Sequence, residues 1–335
     1  MPLKPELISS QIDSLAAELS NHPHKAAAVR ALQTLLQISR SDADANDWQL
    51  IEGTLADMAA GFSVFHPHRS TRKLAVFGSS RTTAAEPAYA LAVELAAAAV
   101  AAGFDVMTGA GAGVMEGANR GAGRGNSFGL DVQLPFKHET NPFIASDPRL
   151  LSFRYFHTRK LFFLRETAAV VVLPGGFGTL DELFEALTLI QTAKNPPIPV
   201  VLLAPPGDNY WQRWHSYVDG ALGDRGLIAA QDNYLYCSAD SALAAMNHIR
   251  HFYRVFHSSR FEADKLQLFL NHAIKKTDIE LLNQKFSQLL LSEKITFKPL
   301  NHSDNAVAGC LELCFDQRQM GGLYALINHV NSLDY

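Results

Sequence analysis

Segments with strand character and segments with helical character alternate along residues 73–256 of this 335-residue chain. Short β-branched or apolar runs predict strands, and apolar residues at helical spacing predict helices. The strands are predicted at 74–78, 104–108, 128–134, 168–173, 199–204 and 233–237. The helices are predicted at 84–102, 113–123, 157–165, 179–193, 210–222 and 239–256. This alternation predicts an α/β fold, a Rossmann-like, doubly wound and mostly parallel sheet with helices on both faces.

Two segments of different character flank the alternating region. Residues 5–62 carry apolar residues at helical spacing, which predicts N-terminal helices within a segment 1–72. The last part, 257–335, is typical of a small α+β appendage. Its strands are predicted at 266–270, 295–297 and 311–315, and its helices at 279–291 and 323–333. We therefore predict three parts, with boundaries at 1–72, 73–256 and 257–335.

Composition excludes several classes of function. The formal net charge is −4, and a nucleic-acid-binding protein normally has a basic surplus. No apolar run reaches the roughly 18 residues that span a bilayer, and the N-terminus lacks a signal-peptide core. Cys237, Cys310 and Cys314 are odd in number and form no zinc-binding pattern. We therefore expect reduced thiols, a cytoplasmic protein, and no metal, membrane or nucleic-acid partner.

A glycine-rich segment follows the fourth predicted strand and reads Pro174-Gly-Gly-Phe-Gly-Thr-Leu-Asp-Glu182. A strand, a glycine turn and a helix in this order leave backbone N–H groups at a helix N-terminus, where an anion is favoured. Gly175, Gly176 and Gly178 let the backbone approach a phosphate closely. Nucleotide phosphate is therefore the first ligand to consider. The alternative is structural, because Thr179 and Glu182 also fit a capping box.

Glycine loops also follow the first two predicted strands. The first contains Gly78, Ser79 and Ser80, and the second spans 108–117. Neither fits the dinucleotide-binding fingerprint, and no ATPase P-loop is present. Each loop taken alone is also explained as a tight turn between a strand and a helix. Three such loops at corresponding strand ends suit one mononucleotide better than NAD.

A basic pair, Arg159-Lys160, lies early in the helix that precedes the fourth strand. Such a pair is commonly just part of a solvated helix face, with the aliphatic stems covering apolar surface. His157, two residues before Arg159, is by itself more typical of a hydrogen-bonded histidine than of a catalyst. The pair indicates a functional site only in combination with the glycine-rich segment 174–182.

These segments together resemble the Lonely guy (LOG) family of Rossmann-like phosphoribohydrolases, whose hallmark is PGGxGTxxE with an upstream Arg-Lys pair. The resemblance covers 73–256, continues through 111–121 and 184–192, and is similar to the longer bacterial members at the flanks. It departs from the family at Ala110 and Ala112, where members often have Gly or Pro, and at Lys137, where an acidic residue is expected.

The resemblance implies a nucleotide-binding catalytic domain at 73–256. The implied reaction cleaves the N-glycosidic bond of a nucleoside 5′-monophosphate, AMP-like or a cytokinin riboside 5′-monophosphate, without a cofactor or metal. It makes Arg159 and Glu182 the catalytic pair. The residues implied to bind substrate or phosphate are Gly78, Ser79, Ser80, Gly111, Gly113, Met115, Glu116, Lys160, Gly175, Gly176, Gly178 and Thr179. We also expect a homo-oligomer, a dimer or higher, because symmetric assembly is the default for such enzymes.

The predicted chemistry depends on charge. Cleavage of an N-glycoside builds positive charge on the ribose ring. We expect Glu182 to be ionised, because a helix N-terminus favours the carboxylate, and Arg159 to remain cationic. The alternatives from other classes are a nucleotide-binding or molybdenum-cofactor carrier protein without catalysis and a nucleotide sensor. Lysine decarboxylation, a label some relatives have carried, lacks an arguable pyridoxal-phosphate lysine here.

Overall fold

The computed structural model of the chain describes residues 23–135, 139–262, 265–300 and 307–334. The chain divides into two compact units, Met1–Ala56 and Asp57–Tyr335. In the first unit, helix α1 spans Lys25–Ser39, and the following helix α2, Ala45–Phe65, continues into the second unit. The helical prediction for residues 5–22 and the departure at Lys137 lie outside the described residues.

A seven-stranded sheet forms the centre of the second unit, and all its neighbouring strands are parallel. The strands are β1 Lys73–Phe77, β2 Asp105–Thr108, β3 Ser127–Val132, β4 Leu150–Phe153, β5 Ala169–Val172, β6 Val200–Leu203 and β7 Cys237–Ala239. Their spatial order is β4-β3-β2-β1-β5-β6-β7. The order reverses direction at β1, which is the arrangement of a doubly wound sheet. The predicted Rossmann-like α/β fold is confirmed.

Helices cover this sheet on both faces. They are α3 Pro87–Ala101, α4 Val114–Ala122, α5 Phe156–Glu166, α6 Phe177–Gln191, α7 Tyr210–Tyr217 and α8 Ala242–Phe252. Side chains alternate between two cores, because successive residues of a strand point to opposite faces. On β1, Leu74 and Val76 lie in one core, and Ala75 and Phe77 lie in the other. No helix of the described chain is long and apolar enough to cross a membrane.

The last part of the chain forms a four-stranded antiparallel sheet of order β10-β11-β9-β8. Its strands are β8 Phe256–Glu262, β9 Lys265–Leu270, β10 Leu290–Pro299 and β11 Gly309–Phe315, and its helices are α9 Lys276–Lys285 and α10 Met320–Asn331. Alternate residues of β9, Leu266, Leu268 and Leu270, are buried in the same core as Ala75 and Phe77. The appendage therefore shares a core with the parallel sheet.

The structure corrects three predicted elements, and polar side chains explain two of them. The strand predicted at 233–237 is mostly a 3₁₀ turn, Ala230–Leu235, because Asp232 accepts the N–H of Ala229 at 2.9 Å and holds the chain curled. The helix predicted to reach 256 ends at Phe252, whose carbonyl accepts a bond from Asn331 Nδ2 at 2.6 Å. The helix predicted at 279–291 ends at Lys285, and Leu290 instead begins β10, which pairs with β11. Strands β4 and β8 were not predicted from the sequence.

Candidate active site

A cavity of about 870 Å³ opens at the carboxyl ends of strands β1, β2, β3 and β5. Ligands of open α/β sheets bind at this edge, outside the point where the strand order reverses. Eleven of the residues predicted from the sequence line it: Gly78, Ser79, Ser80, Gly111, Met115, Arg159, Gly175, Gly176, Gly178, Thr179 and Glu182. Segments more than 100 residues apart in the chain thus meet in one concave site.

Three predicted binding residues, Gly113, Glu116 and Lys160, do not line the cavity. Lys160 Nζ lies 2.9 Å from an Asp181 oxygen and 2.7 Å from a Glu185 oxygen, so its charge is engaged along helix α6. Glu116 accepts a hydrogen bond from the Tyr89 hydroxyl at 3.0 Å. Both side chains therefore brace helices beside the cavity, and the structure does not bring them to its surface.

Gly113 has a structural place, because it lets two loops touch. Its φ is +69°, and a Cβ built on it would lie 2.3 Å from the carbonyl oxygen of Ser79. That carbonyl accepts the N–H of Val114 at 3.0 Å, and the Ser79 N–H donates to the Pro174 carbonyl at 3.1 Å. The backbone of Ser79, in the first loop, therefore binds both the second and the third loop.

Helix α6 begins earlier than the sequence suggested. Its N-cap is Gly176 and it starts at Phe177, so Thr179 and Glu182 lie inside the helix, and no described side chain caps it. The capping-box alternative for this pair is therefore wrong. The first bond within the helix runs from Leu180 N to Gly176 O at 3.1 Å. The N–H groups of the first turn precede this bond and are available to an anion in the cavity.

The turn before this helix is held closely from both sides. A Cβ on Gly175 would lie 2.1 Å from Thr179 Oγ1, so only glycine fits there without a shift of the helix start. The Gly175 carbonyl accepts a bond from the Tyr210 hydroxyl at 2.7 Å. The position of the first-turn N–H groups is thus fixed before any ligand arrives.

Arg159 and Glu182 face each other across the cavity wall. Arg159 Nη2 lies 3.7 Å from Glu182 Oε1, and the two side chains are 15% and 6% exposed. Glu182 Oε2 and Arg159 Nε are buried and make no hydrogen bond among the described residues. Unmet hydrogen-bonding groups of this kind are rare in folded proteins and need an explanation. A bound polar molecule in the cavity would supply it.

Burial changes the expected charge of Glu182. Loss of solvent around the carboxyl raises its pKa to about 7, although Lys160 and Arg159 act in the opposite direction. The expectation that the helix N-terminus keeps this group ionised is therefore wrong, because Glu182 lies beyond the first turn of the helix and desolvation outweighs the two cations. Near neutral pH the group holds a proton in part of the molecules. The protonation state of Glu182 therefore changes readily when a charge appears beside it.

Aromatic rings surround the Arg159 guanidinium. Its central carbon lies 4.8 Å from the Phe156 ring centroid and 5.9 Å from that of Phe163. Burial lowers the pKa of Arg159, and the carboxylates of Glu182 and Asp131 act against this change. A guanidinium stays cationic at working pH in any case. The rings and Glu182 together hold the planar group in one orientation toward the cavity.

The second glycine loop is fixed by a buried amide network. Asn141 Nδ2 lies 3.1 Å from the Ala110 carbonyl, 3.0 Å from that of Gly111 and 2.9 Å from Asn119 Oδ1. Thr108 Oγ1 also donates to Asn119 Oδ1 at 2.7 Å. Ala110 has a φ of 61°, in the left-handed region that favours glycine. A glycine would adopt this backbone conformation without strain.

Nine further side chains line the cavity but were not predicted as site residues, among them the charged Arg81 and Asp131 and the aromatic Phe156 and Phe177. Two of them had a signal in the sequence, because Arg81 and Asp131 stand at or just beyond the carboxyl ends of β1 and β3. Phe177 is 96% exposed and begins helix α6 at the rim. An aromatic ring placed there could not be assigned from periodicity. No cluster of metal-ligating side chains occurs in the part of the chain that the structure describes.

Comparison with known proteins finds similar sequences over part of the chain. A family model described as "Possible lysine decarboxylase" matches residues 112–249. Cytokinin riboside 5′-monophosphate phosphoribohydrolase LOG4 of Arabidopsis thaliana is 36% identical over 86 residues, 26% of this chain and 38% of that protein. The predicted resemblance to the LOG family is confirmed. The probable phosphoribohydrolase LOGL3 of Oryza sativa subsp. japonica is 32% identical over 96 residues, 29% of this chain and 44% of that protein.

The alignment with these LOG proteins spans less than half of their length. Among solved structures, the molybdenum cofactor binding protein of Rippkaea orientalis shares 20% sequence identity with the chain at a TM-score of 0.40. That similarity covers 54% of this chain and 96% of the other.

Proposed function

We propose that the chain is a nucleoside 5′-monophosphate phosphoribohydrolase. In the proposed reaction the bond between C1′ of ribose and the base nitrogen breaks, and water forms a new bond to C1′. One water proton ends on the base nitrogen, which gives free base and ribose 5-phosphate. The observation that carries the proposal is the buried Glu182 carboxyl, with an unbonded oxygen, opposite Arg159 in a glycine-lined cavity.

The phosphate is assigned to the start of helix α6. The N–H groups of Phe177 and Gly178 and the positive end of the helix dipole favour an anion there. The hydroxyl of Ser80 and the guanidinium of Arg81 line the same cavity and are donors suited to phosphate oxygens. Binding energy gained at the phosphate can then be used at the distant glycosidic bond.

Glu182 is assigned to the ribose. As the glycosidic bond breaks, positive charge develops on the sugar ring. A cation beside Glu182 lowers its pKa from about 7, so the carboxylate form is favoured as the transition state is approached. The same carboxylate can accept a proton from the attacking water. Arg159, 3.7 Å away, orients Glu182 and offers its unbonded Nε to the substrate.

Lysine decarboxylation has no comparable support. A pyridoxal phosphate enzyme needs a lysine amine in its site, and no lysine of the described residues lines the cavity. Lys160, beside Arg159, is bound to Asp181 and Glu185.

We also propose a homo-oligomeric state and a cytoplasmic location. Light scattering that gives a monomer mass near 36.7 kDa would contradict the homo-oligomeric state.

The proposal is tested by product analysis on a panel of nucleoside monophosphates. We expect AMP or a related nucleotide to yield free base and ribose 5-phosphate, and AMP to react faster than adenosine because adenosine lacks the phosphate. Equal rates on AMP and adenosine would contradict the assigned phosphate site. Tight binding of AMP without release of adenine would instead identify a nucleotide-binding protein or sensor.

A further inference from the structure

Helix α5, which carries Arg159, has its N-terminus held by a carboxylate from another helix. Asp57 lies on α2, near its middle, and is 5% exposed. Its Oδ1 accepts the N–H of Arg154 at 3.0 Å, and its Oδ2 accepts the N–H of Tyr155 at 3.3 Å. The Thr158 hydroxyl lies 2.5 Å from Oδ2. Tyr155 is the N-cap of α5, and among the described residues no side chain of the helix caps it from within.

The bonds at Asp57 continue directly to Arg159. The N–H of Tyr155 donates to Asp57, and the carbonyl of Tyr155 accepts the N–H of Arg159 at 3.2 Å. Two hydrogen bonds and one residue, Tyr155, therefore connect the Asp57 carboxylate to the Arg159 backbone. A carboxylate at a helix N-terminus is also favoured by the helix dipole. Asp57 thus fixes the first turn of the helix from which the guanidinium extends.

Packing along the same two helices strengthens this connection. A Cβ on Gly61 would lie 2.2 Å from Phe162 Cζ, so glycine at this position lets α2 approach α5 closely. The rings of Phe62 and Phe65 lie 5.5 Å and 5.9 Å from that of Phe162. Phe162 faces α2 while Arg159, three residues earlier, reaches the cavity. Residues 57–65 therefore form a brace, outside the alternating βα region, behind the Arg159 helix.

We infer that Asp57 is a positioning residue for Arg159: it holds the N-terminal turn of α5 so that the guanidinium meets Glu182 and the substrate. This inference rests on the proposed nucleotide hydrolysis and deepens it. Displacement of a reacting group by about 1 Å can lower a rate by about 100-fold. Asp57→Ala is therefore expected to lower kcat for AMP by about that factor. Asp57→Asn should lower it less, because the amide oxygen still accepts backbone N–H groups.

The decisive test is a double-mutant cycle. Asp57→Ala, Arg159→Ala and the double variant are compared for kcat and KM on AMP. If Asp57 acts through Arg159, its removal should add almost nothing once Arg159 is absent. The matched control is Asn331→Ala, because Asn331 is also buried and binds three backbone groups, and it lies in helix α10, far along the chain from Asp57. It should lower thermal stability to a similar extent and leave kcat unchanged.

A second readout does not depend on the enzyme activity. Arg159 acts to lower the pKa of Glu182, so a displaced guanidinium should move that pKa above about 7. Carbon-13 NMR titration of Glu182 in Asp57→Ala and Asp57→Asn measures this shift, and Asn331→Ala should not produce it. Multiplicative losses of kcat in the cycle, or an unchanged Glu182 pKa in both Asp57 variants, would overturn the inference. If wild type lacks hydrolysis, the proposed function fails while the NMR arm still decides the role of Asp57.

Discussion

Two glutamates of the described chain are nearly removed from solvent, and their surroundings differ in almost every other respect. Glu182, 5% exposed, lies at the carboxyl edge of the parallel sheet with one oxygen unbonded. Glu312, 7% exposed, lies on β11 of the antiparallel sheet. There it accepts a bond from Gln267 Nε2 at 2.9 Å and pairs with Lys298. Burial raises the pKa of Glu182 to about 7, whereas the bonds from Lys298 and Gln267 lower that of Glu312.

The difference separates two uses of a buried charge. At Glu312 both oxygens have partners, so the carboxylate supports the sheet in which it lies. At Glu182 the protein leaves hydrogen-bonding capacity unused and tolerates an unfavourable ionisation. Sites that bind and turn over ligands are where such unfavourable arrangements concentrate. The comparison therefore predicts opposite responses to the same substitution at the two positions.

The largest expected effect is the loss of turnover in Glu182→Gln. The substitution removes the charge but nearly preserves the shape, and loss of one well-placed electrostatic group typically lowers kcat on the order of 10²–10³-fold. The matched Glu312→Gln variant should turn over AMP at the wild-type rate. The measurement is kcat on AMP for both variants. Near-wild-type turnover in Glu182→Gln would remove the proposed catalytic role.

The two glutamates should also give opposite pH dependence of stability. The folded pKa of Glu182 is raised, so its ionisation destabilises the fold progressively from about pH 4.5 to about pH 7, by up to about 3 kcal/mol. The folded pKa of Glu312 is lowered, so it contributes stability above its unfolded pKa and loses it as the pH falls.

Thermal unfolding at about pH 4 and about pH 8 measures this contrast. Relative to wild type, the Tm of Glu182→Gln should rise between the two pH values, and that of Glu312→Gln should fall. Parallel changes in the two variants would show that the two carboxyls titrate alike in the fold. The comparison would then no longer hold.

A smaller effect is expected when a methyl group is added at a tight glycine of each region. Gly175→Ala places a Cβ 2.1 Å from Thr179 Oγ1 and shifts the N–H groups assigned to phosphate. Hydrogen bonds to a charged group contribute about 1.5–3 kcal/mol, so we expect KM for AMP to rise about tenfold or more. In Gly309→Ala the Cβ would lie 2.5 Å from the Lys298 carbonyl, which should affect stability alone. A wild-type KM in Gly175→Ala would contradict the phosphate assignment.

The smallest effect concerns the partner of Glu312. Lys298 is 61% exposed, and ion pairs at the surface contribute at most about 1 kcal/mol. Lys298→Met should therefore lower the Tm only slightly, and less so at high salt. A loss as large as that of Glu312→Gln would indicate that the pair, rather than the bond from Gln267, supports the carboxylate. Urea unfolding at two salt concentrations distinguishes these cases.

The sequence predicts the fold and the loops well, and the side-chain environment less well. Strand and helix alternation and the three glycine loops are local patterns, so the sheet and its binding edge follow from them. Whether Glu182 caps its helix or faces the cavity depends on where the helix begins. The turn before the helix is held by a contact from a distant residue, the hydrogen bond from the Tyr210 hydroxyl to the Gly175 carbonyl. The engagement of Lys160 by Asp181 and Glu185 is likewise absent from any local pattern.

The role of residues 57–65 could not be predicted from the sequence. Periodicity predicts a helix there, and nothing in it indicates that Asp57 meets the N–H groups of residues almost 100 positions later. The ends of elements are also poorly predicted where a distant side chain closes them, as Asn331 does at Phe252. Contacts between distant segments therefore account for most of what the sequence analysis missed.

The two backbone hydrogen bonds of Ser79 restrict how this site can change during evolution. The N–H and the carbonyl of Ser79 bind the backbones of the third and second glycine loops, so the three loops are held together as one unit. Replacing one loop with that of a distant homologue would break bonds that belong to the other two. The three loops should therefore be inherited or exchanged only together. By contrast, a cavity-lining side chain that is almost fully exposed, such as Phe177, can vary on its own.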